Sequence, residues 1–389
     1  MINTKTDNLT YCNKDSCSCK ENEKYLESQL ITYIGNKRRL LEYIGKAIRL
    51  AQEKLPGKKL SFLDAFSGSG IVSRYLKSYA SEIYSNDIED YATIINKCYL
   101  SNHFERDEIE LNNYYCSLKK KLNAIERQNT WFSGVISNLY APKDDTNIKK
   151  GERVFYTKRN ANYIDTARQI ISEMPIEIQP YFIAPLLSEA SIHANTAGVF
   201  KGFYKDKETG IGKFGGKKGD ALSRITGAIN CPFPIFSNYD CLVHILQDDI
   251  NKIIKDIPLV DIAYLDPPYN QHPYGSNYFM LNIIANNRKP KHISPVSGIP
   301  QDWNRSVFNT KKKSLEAFSE LVSLIKARFI IVSFNSEGFI SLEKMTELLE
   351  QHGKVDIIKV AYNAFRGSRN LANRNKHLTE YIYLLEKTR

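Results

Sequence analysis

The residues best suited to chemistry are concentrated in one short run. Ile262 to Leu265 are apolar, and Asp266, Pro267, Pro268, Tyr269 and Asn270 follow without a break. Neither proline has an amide hydrogen and each has a fixed φ, so a sheet ladder has to end there and a stiff loop has to begin. Such a loop, carrying a carboxylate and an aromatic ring, suits a reaction whose partners must be held still. The competing reading is a proline-stopped turn without function. The neighbouring motifs decide between them.

Two further runs have the same form, an apolar strand ending in special residues. "LSFLDAF" leads into Phe66-Ser67-Gly68-Ser69-Gly70, and "EIYSND" ends in Asp87. Glycines at such a turn let the backbone approach a ligand while the next helix presents its N-terminus. The third small residue of a dinucleotide turn is replaced by Ser73, so the turn speaks only weakly for NAD. Asp87 stands where a carboxylate accepts the hydroxyls of a ribose. "IFSNYD" reads as a third strand, with Asp240 at its end. Each aspartate alone reads as a helix cap or a turn residue. Four strand ends taken together outline a ligand with a ribose, an adenine-like ring and a charged end.

These strand ends need a scaffold, and the hydrophobic pattern supplies one. "NKRRLLEYIGKAIRLA" sets Leu40, Leu41, Ile44 and Ile48 on one helical face. Strand, helix, strand, helix follow to about residue 100, and the pattern resumes near 233 with "VDIAYLD", "KSLEAFSELVSLIKA", "RFIIVSFN" and "SLEKMTELLEQHG". The expected class is α/β with a mostly parallel sheet. "KVDIIKVAY" and "TEYIYLLEK" have no helix between them, so they are expected to pair antiparallel and close one edge of the sheet. Residues 101–232 break the alternation and are expected to form an inserted region with its own packing. Residues 1–24 read as a flexible lead.

Composition narrows the setting. The chain of 389 residues has a formal net charge of +11 and a pI near 9.1, which suits a polyanionic partner such as nucleic acid. No apolar run approaches the ~18 residues of a membrane span, and the N-terminus lacks the apolar core of a secretory signal, so an intracellular, cytoplasmic location is expected. Cys12, Cys17 and Cys19 have no histidine or second cysteine pair nearby, so no metal is expected there. Cys98, Cys116, Cys231 and Cys241 are expected to be small core hydrophobes in a reducing compartment.

In order, "TYIGNKRRLLEYI", "FLDAFSGSG", "YSND", "SNYD" and "LDPPYN" resemble the motifs of the Dam-like DNA adenine-N6 methyltransferases. The likeness is closer to the methylases of type II restriction systems, in which Asp-Pro-Pro-Tyr-Asn is followed by an Asn-Tyr, here Asn277-Tyr278. It covers roughly residues 30–100 and 230–389. The resemblance implies a Rossmann-like S-adenosylmethionine-dependent methyltransferase fold, with the catalytic domain at 25–100 and 233–389 and target recognition at 101–232. It implies that Tyr33, Lys37, Phe66, Gly68, Gly70 and Asp87 contact S-adenosylmethionine, with Asp240 meeting the adenine amino group. Tyr33 stands where such members often have tryptophan. Asp266 and the Pro267 carbonyl would accept the two N6 hydrogens of adenine, Pro268 would stiffen the loop, and Tyr269 would offer a ring face to a flipped base.

Double-stranded DNA is the expected partner of the basic segments. Lys201, Lys205, Lys213, Lys217 and Lys218 are expected on a mobile, glycine-rich loop that orders on phosphates. Arg305, beside Trp303 and Lys311 to Lys313, is expected to border the flipped base, and Arg366 and Arg369 to occupy a turn near DNA. A monomer acting beside a restriction endonuclease is expected. An RNA adenine methyltransferase, or a DNA-binding protein without catalysis, are the alternatives.

Overall fold

The computed structural model describes residues 20–216, 219–363 and 377–388. Seven strands form one sheet: β1 (Leu60–Asp64), β2 (Ala80–Asn86), β3 (Leu242–Leu246), β4 (Val260–Leu265), β5 (Ala327–Asn335), β6 (Gly353–Asn363) and β7 (His377–Lys387). Their order is β3-β2-β1-β4-β5-β7-β6. The first five run parallel, and β7 is antiparallel to both neighbours. The sheet is therefore mixed and mostly parallel, as the alternating pattern requires. The last two strands pair antiparallel and close one edge, as expected, and β7 is the one that meets β5. It lies between β5 and β6, which leaves β6 outermost. A sequence shows that two strands are joined by a turn, whereas which of them meets β5 depends on packing across the sheet.

Two apolar layers cover the sheet. One face meets Leu41, Ile44 and Ile48 of the helix Leu41–Gln52, together with Ile71, Val72 and Leu76 of the helix Ile71–Leu76. The other meets Phe318, Leu321 and Val322 of the helix Lys311–Leu324, and Met345 and Leu349 of the helix Leu342–Glu350. Strand order reverses between β1 and β4, which opens a crevice beyond their carboxyl ends.

Residues 101–232 supply the helices Glu108–Gln128, Lys158–Ser172 and Pro180–Ile192. They do not pack by themselves. Ile164, Phe182 and Leu187 share one apolar cluster with Tyr91 and Ile95 and with Phe279, Leu281 and Ile284, so this region stands on the helices Asp90–Tyr99 and Phe279–Asn286. Its entry is pinned by Lys77, which donates to the carbonyls of Leu100 (2.8 Å) and Ser101 (3.1 Å). An ammonium this deeply buried has to be saturated with acceptors.

Two smaller expectations also change. The last residues of the N-terminal lead are anchored, because Glu21 accepts from the Ser237 hydroxyl at 2.6 Å and the Asn238 amide at 2.9 Å. Cys98, Cys231 and Cys241 are buried, but Cys116 is exposed on the outer face of its helix. The Cys12, Cys17 and Cys19 cluster lies outside the described residues. Among the described residues no helix is long and apolar enough to cross a membrane.

Candidate active site

The turn after β1 is built by its glycines. Gly68 and Gly70 have φ of +52° and +72°, a region that side chains rarely adopt. A Cβ on Gly68 would lie 2.9 Å from the Tyr33 ring, and one on Gly70 would lie 2.5 Å from Asn96 Oδ1. Asn96 in turn donates to the Ser67 hydroxyl at 2.7 Å. Ser73, in the position a dinucleotide fold gives to a third small residue, is buried and donates to Asp64 Oδ2 at 2.6 Å. The serine therefore serves the underside of the turn.

Asp87 follows β2, and its carboxylate accepts from the amides of Gly68 (2.7 Å) and Glu89 (2.9 Å), tying the two loops together. Asp266 follows β4. Its Oδ1 lies 2.8 Å from Lys37 Nζ, off the line of a hydrogen bond. Lys37 is itself buried and also donates to the Gly35 carbonyl at 3.1 Å. Tyr33 stacks against both Tyr274 and Tyr278, at centroid distances of 4.9 and 4.8 Å, with those two rings 5.9 Å apart, and the Tyr278 hydroxyl accepts from the Ile34 amide at 2.7 Å. Tyr278, the tyrosine of the Asn-Tyr after the proline loop, thus holds the Tyr33–Ile34 segment in place.

These groups meet in one crevice, open at its mouth, whose walls include Tyr33, Lys37, Phe66, Gly68, Asp87 and Asp266. Its most notable property is buried acid. Burial pushes Asp266 up to about 6, with Lys37 opposing and Glu380 adding to the rise. Burial also takes Asp87 to about 6 against the amides of Glu89 and Gly68, and Asp64 to about 7 against the Ser73 hydroxyl. Glu89 rises to about 8 by burial, opposed by the Asn282 amide and reinforced by Asp87. Desolvation makes each negative charge costly until a positive group arrives.

Several residues expected at the site stand elsewhere. Asp240 is a correction: it precedes β3, at the end of the sheet opposite the crevice, and accepts from the His103 amide at 2.7 Å. The stretch 235–240 forms no strand because Phe236 packs under the Arg106 guanidinium, 3.9 Å away, and the next two residues bond to Glu21. The carboxyl end of β3 brings Asp248 and Asp249 to the crevice instead. Gly70 shapes the turn from behind the crevice wall. Pro268 lines the crevice, whereas Pro267 and Tyr269 are not among its walls. Tyr269 is 9% exposed, with Phe334 edge-on at 5.6 Å and Lys37 5.6 Å from its ring.

Glu89, Asn304 and Glu380 were not legible as site residues. Asn304 donates to the Ile88 carbonyl at 3.0 Å and to Glu89 at 3.2 Å, fastening the segment after the proline loop to the Asp87 loop. The acid two positions beyond Asp87 was the available signal for Glu89; nothing local marks the other two.

The basic residues divide. Lys201 and Lys213 are exposed, Lys205 lies 4.8 Å over the Phe203 ring, and Lys213 pairs with Asp206 at 3.5 Å. The segment expected to be a mobile loop is, over its described residues, a hairpin held by a bridge between Lys205 and Gly212 and by Asn195, which donates to the Lys213 carbonyl at 2.9 Å. Arg305 is exposed and stacks on Trp303 at 4.3 Å. Lys217, Lys218, Arg366 and Arg369 lie outside the described residues.

An open sheet with a glycine turn after β1, an acid after β2 and Asp-Pro-Pro-Tyr after β4 defines a methyltransferase that acts on an amino group. The chain belongs to the D12 class N6 adenine-specific DNA methyltransferases, whose family pattern matches residues 33–348. It is 30% identical over 375 residues to the type II methyltransferase M.NlaIII of Neisseria lactamica, covering 92% of this chain and 100% of that one. It is 28% identical to the type II methyltransferase M.CviAII of Paramecium bursaria Chlorella virus 1, covering 91% and 98%. A similar match, 28% over 372 residues, spans 91% of this chain and 52% of the modification methylase StsI of Streptococcus sanguinis. The protein is an enzyme that methylates adenine N6 in DNA.

Proposed function

We propose that the chain uses S-adenosylmethionine to methylate an adenine extruded from double-stranded DNA, as the modification enzyme of a type II restriction system. The observation that carries this reading is the convergence of Asp87, Asp266 and the Gly68 turn on one crevice at the point where strand order reverses. The residues fit the cofactor. Three acids held above the usual carboxylate range, Asp87, Glu89 and Asp266, line the crevice, and a sulfonium and an amino group are the positive charges that would relieve them. When bound, S-adenosylmethionine supplies an electrophilic methyl group.

The protein's own residues do the rest. Asp87 and its partner amides receive the ribose hydroxyls, while Tyr33 and Phe66 border the methionine portion. Asp266, ionised near neutral pH, accepts one N6 hydrogen through its carboxylate, and the Pro267 carbonyl accepts the other. Fixed acceptors aim the nitrogen lone pair and stabilise the positive charge that develops there. As the N–CH3 bond forms and the S–CH3 bond breaks, a proton leaves N6 toward Asp266 and solvent. Tyr269 offers its ring to the base. Residues 25–100 and 233–389 form the catalytic part, and 101–232, with Lys201, Lys205 and Lys213, grips the duplex beside Arg305. The enzyme acts as a monomer, alongside a cognate endonuclease.

The test is transfer of labelled methyl from S-adenosylmethionine to unmethylated duplex DNA by wild-type protein and by Asp266→Ala. Wild type labels adenine N6, and the variant loses at least about a hundredfold in rate. Labelling of RNA alone, or full activity in the variant, overturns the reading.

A further inference from the structure

Glu380 is a buried acid that the mechanism above does not use. It sits on β7, 4% exposed, between the Ser333 hydroxyl of β5, which donates to its Oε1 at 3.1 Å, and Lys37 Nζ at 3.5 Å. A buried charge is retained only where a partner compensates it. Here the partner is shared, because the same ammonium stands 2.8 Å from Asp266. Two carboxylates therefore divide one cation at the edge of the crevice, and with both ionised one net negative charge stands beside the reacting nitrogen. We propose that Glu380 is a positioning residue for methyl transfer: by sharing the Lys37 ammonium it keeps Asp266 aimed and electron-rich as the acceptor for adenine N6.

The alternative arrangement makes the reason plain. Without Glu380, Lys37 and Asp266 form a closed neutral pair, the ammonium competes with N6 for the same carboxylate, and no net charge remains to favour a nitrogen turning positive. With Glu380, the cation is held from two sides and the cluster stays negative as the methyl group transfers. The inference rests on Asp266 being the N6 acceptor. The other groups facing Asp266 are Tyr264 of β4, Tyr274 beyond the proline loop and Asp64 at the end of β1. The tyrosines stay neutral in the acid range, and the charges acting on Asp64 are those of Asp266 and Asp87.

The experiment is the pH dependence of single-turnover methylation by the full chain, for wild type, Glu380→Gln and Glu380→Asp. Removing a like charge makes Asp266 easier to ionise, so in Glu380→Gln the acid limb moves to lower pH by about half a unit or more, while the plateau falls about tenfold. Glu380→Asp, which restores the charge, returns the limb to its wild-type position. A merely structural role lowers the plateau without moving the limb, and that result, or a limb that moves up, overturns the proposal. Carbon-13 titration of the carboxyl groups of wild-type protein decides the matter even if a variant fails to fold: Glu380 must be ionised where Asp266 titrates, and a protonated Glu380 there also overturns it. Asp266→Ala reads the underlying assignment separately, since retained transfer in that variant removes the acceptor itself, whereas its loss beside an unmoved limb removes only the role of Glu380.

Discussion

Glu89 should make the free protein less stable as pH rises, and Glu89→Gln should abolish that part of the dependence. Glu89 is 2% exposed, and its Oε2 accepts from the amides of Asn282 (2.6 Å) and Asn304 (3.2 Å). Burial raises its pKa from 4.5 to about 8. A carboxyl whose folded pKa exceeds its unfolded value contributes stability that is complete below the unfolded value and is lost as pH rises through the folded one. Each pH unit between the two is worth about 1.4 kcal/mol, so raising the pH from 6 to 8 costs wild type about 2 kcal/mol through this group, because the loss levels off near the folded pKa. Glutamine keeps an oxygen for both amides and does not titrate. The stability of the variant relative to wild type should therefore rise by about 2 kcal/mol between pH 6 and pH 8. Asp64 also titrates in this window, but it does so in both proteins and cancels in the difference. Urea unfolding at closely spaced pH values measures the divergence. Parallel curves would mean that Glu89 is solvated in solution, and the account of the crevice as a desolvated acid pocket would be wrong.

Two further outcomes follow from the geometry. Gly70→Ala should destabilise the fold by about 2–4 kcal/mol, from forcing a side chain into the left-handed region and from displacing Asn96 off Ser67, and it should weaken cofactor binding; a change under about 0.5 kcal/mol by urea unfolding would refute the close approach. Asp240→Ala should leave the cofactor Kd within about twofold by calorimetry and cost at most about 1 kcal/mol for its bond to the His103 amide, whereas a tenfold weaker Kd would return Asp240 to the site.

The local motifs were legible because their causes are local. Two adjacent prolines end a strand wherever they occur, and Gly68 and Gly70 are required by a backbone conformation confined to their own turn. The helix Leu41–Gln52 could be read from its apolar spacing, since the same face is buried against the sheet. The third strand was misplaced for an equally definite reason. "IFSNYD" and "LVHIL" both resemble short strands, and only the contacts of Phe236 with Arg106 and of Ser237 with Glu21, made across the chain, leave the second to pair with β2.

By itself the sequence determined the class of the fold, the family, and the two loops that carry the glycine turn and Asp-Pro-Pro-Tyr, because these depend on backbone chemistry within a few residues. Tertiary structure alone decided that β7 sits inside the sheet, that Asp248 and Asp249 rather than Asp240 reach the crevice, and that Lys37 lies between Asp266 and Glu380. The physical reason is that burial and charge pairing are properties of places, not of residues: the energy of a carboxylate is set by the water removed and the cation brought near, and distant segments of the chain supply both.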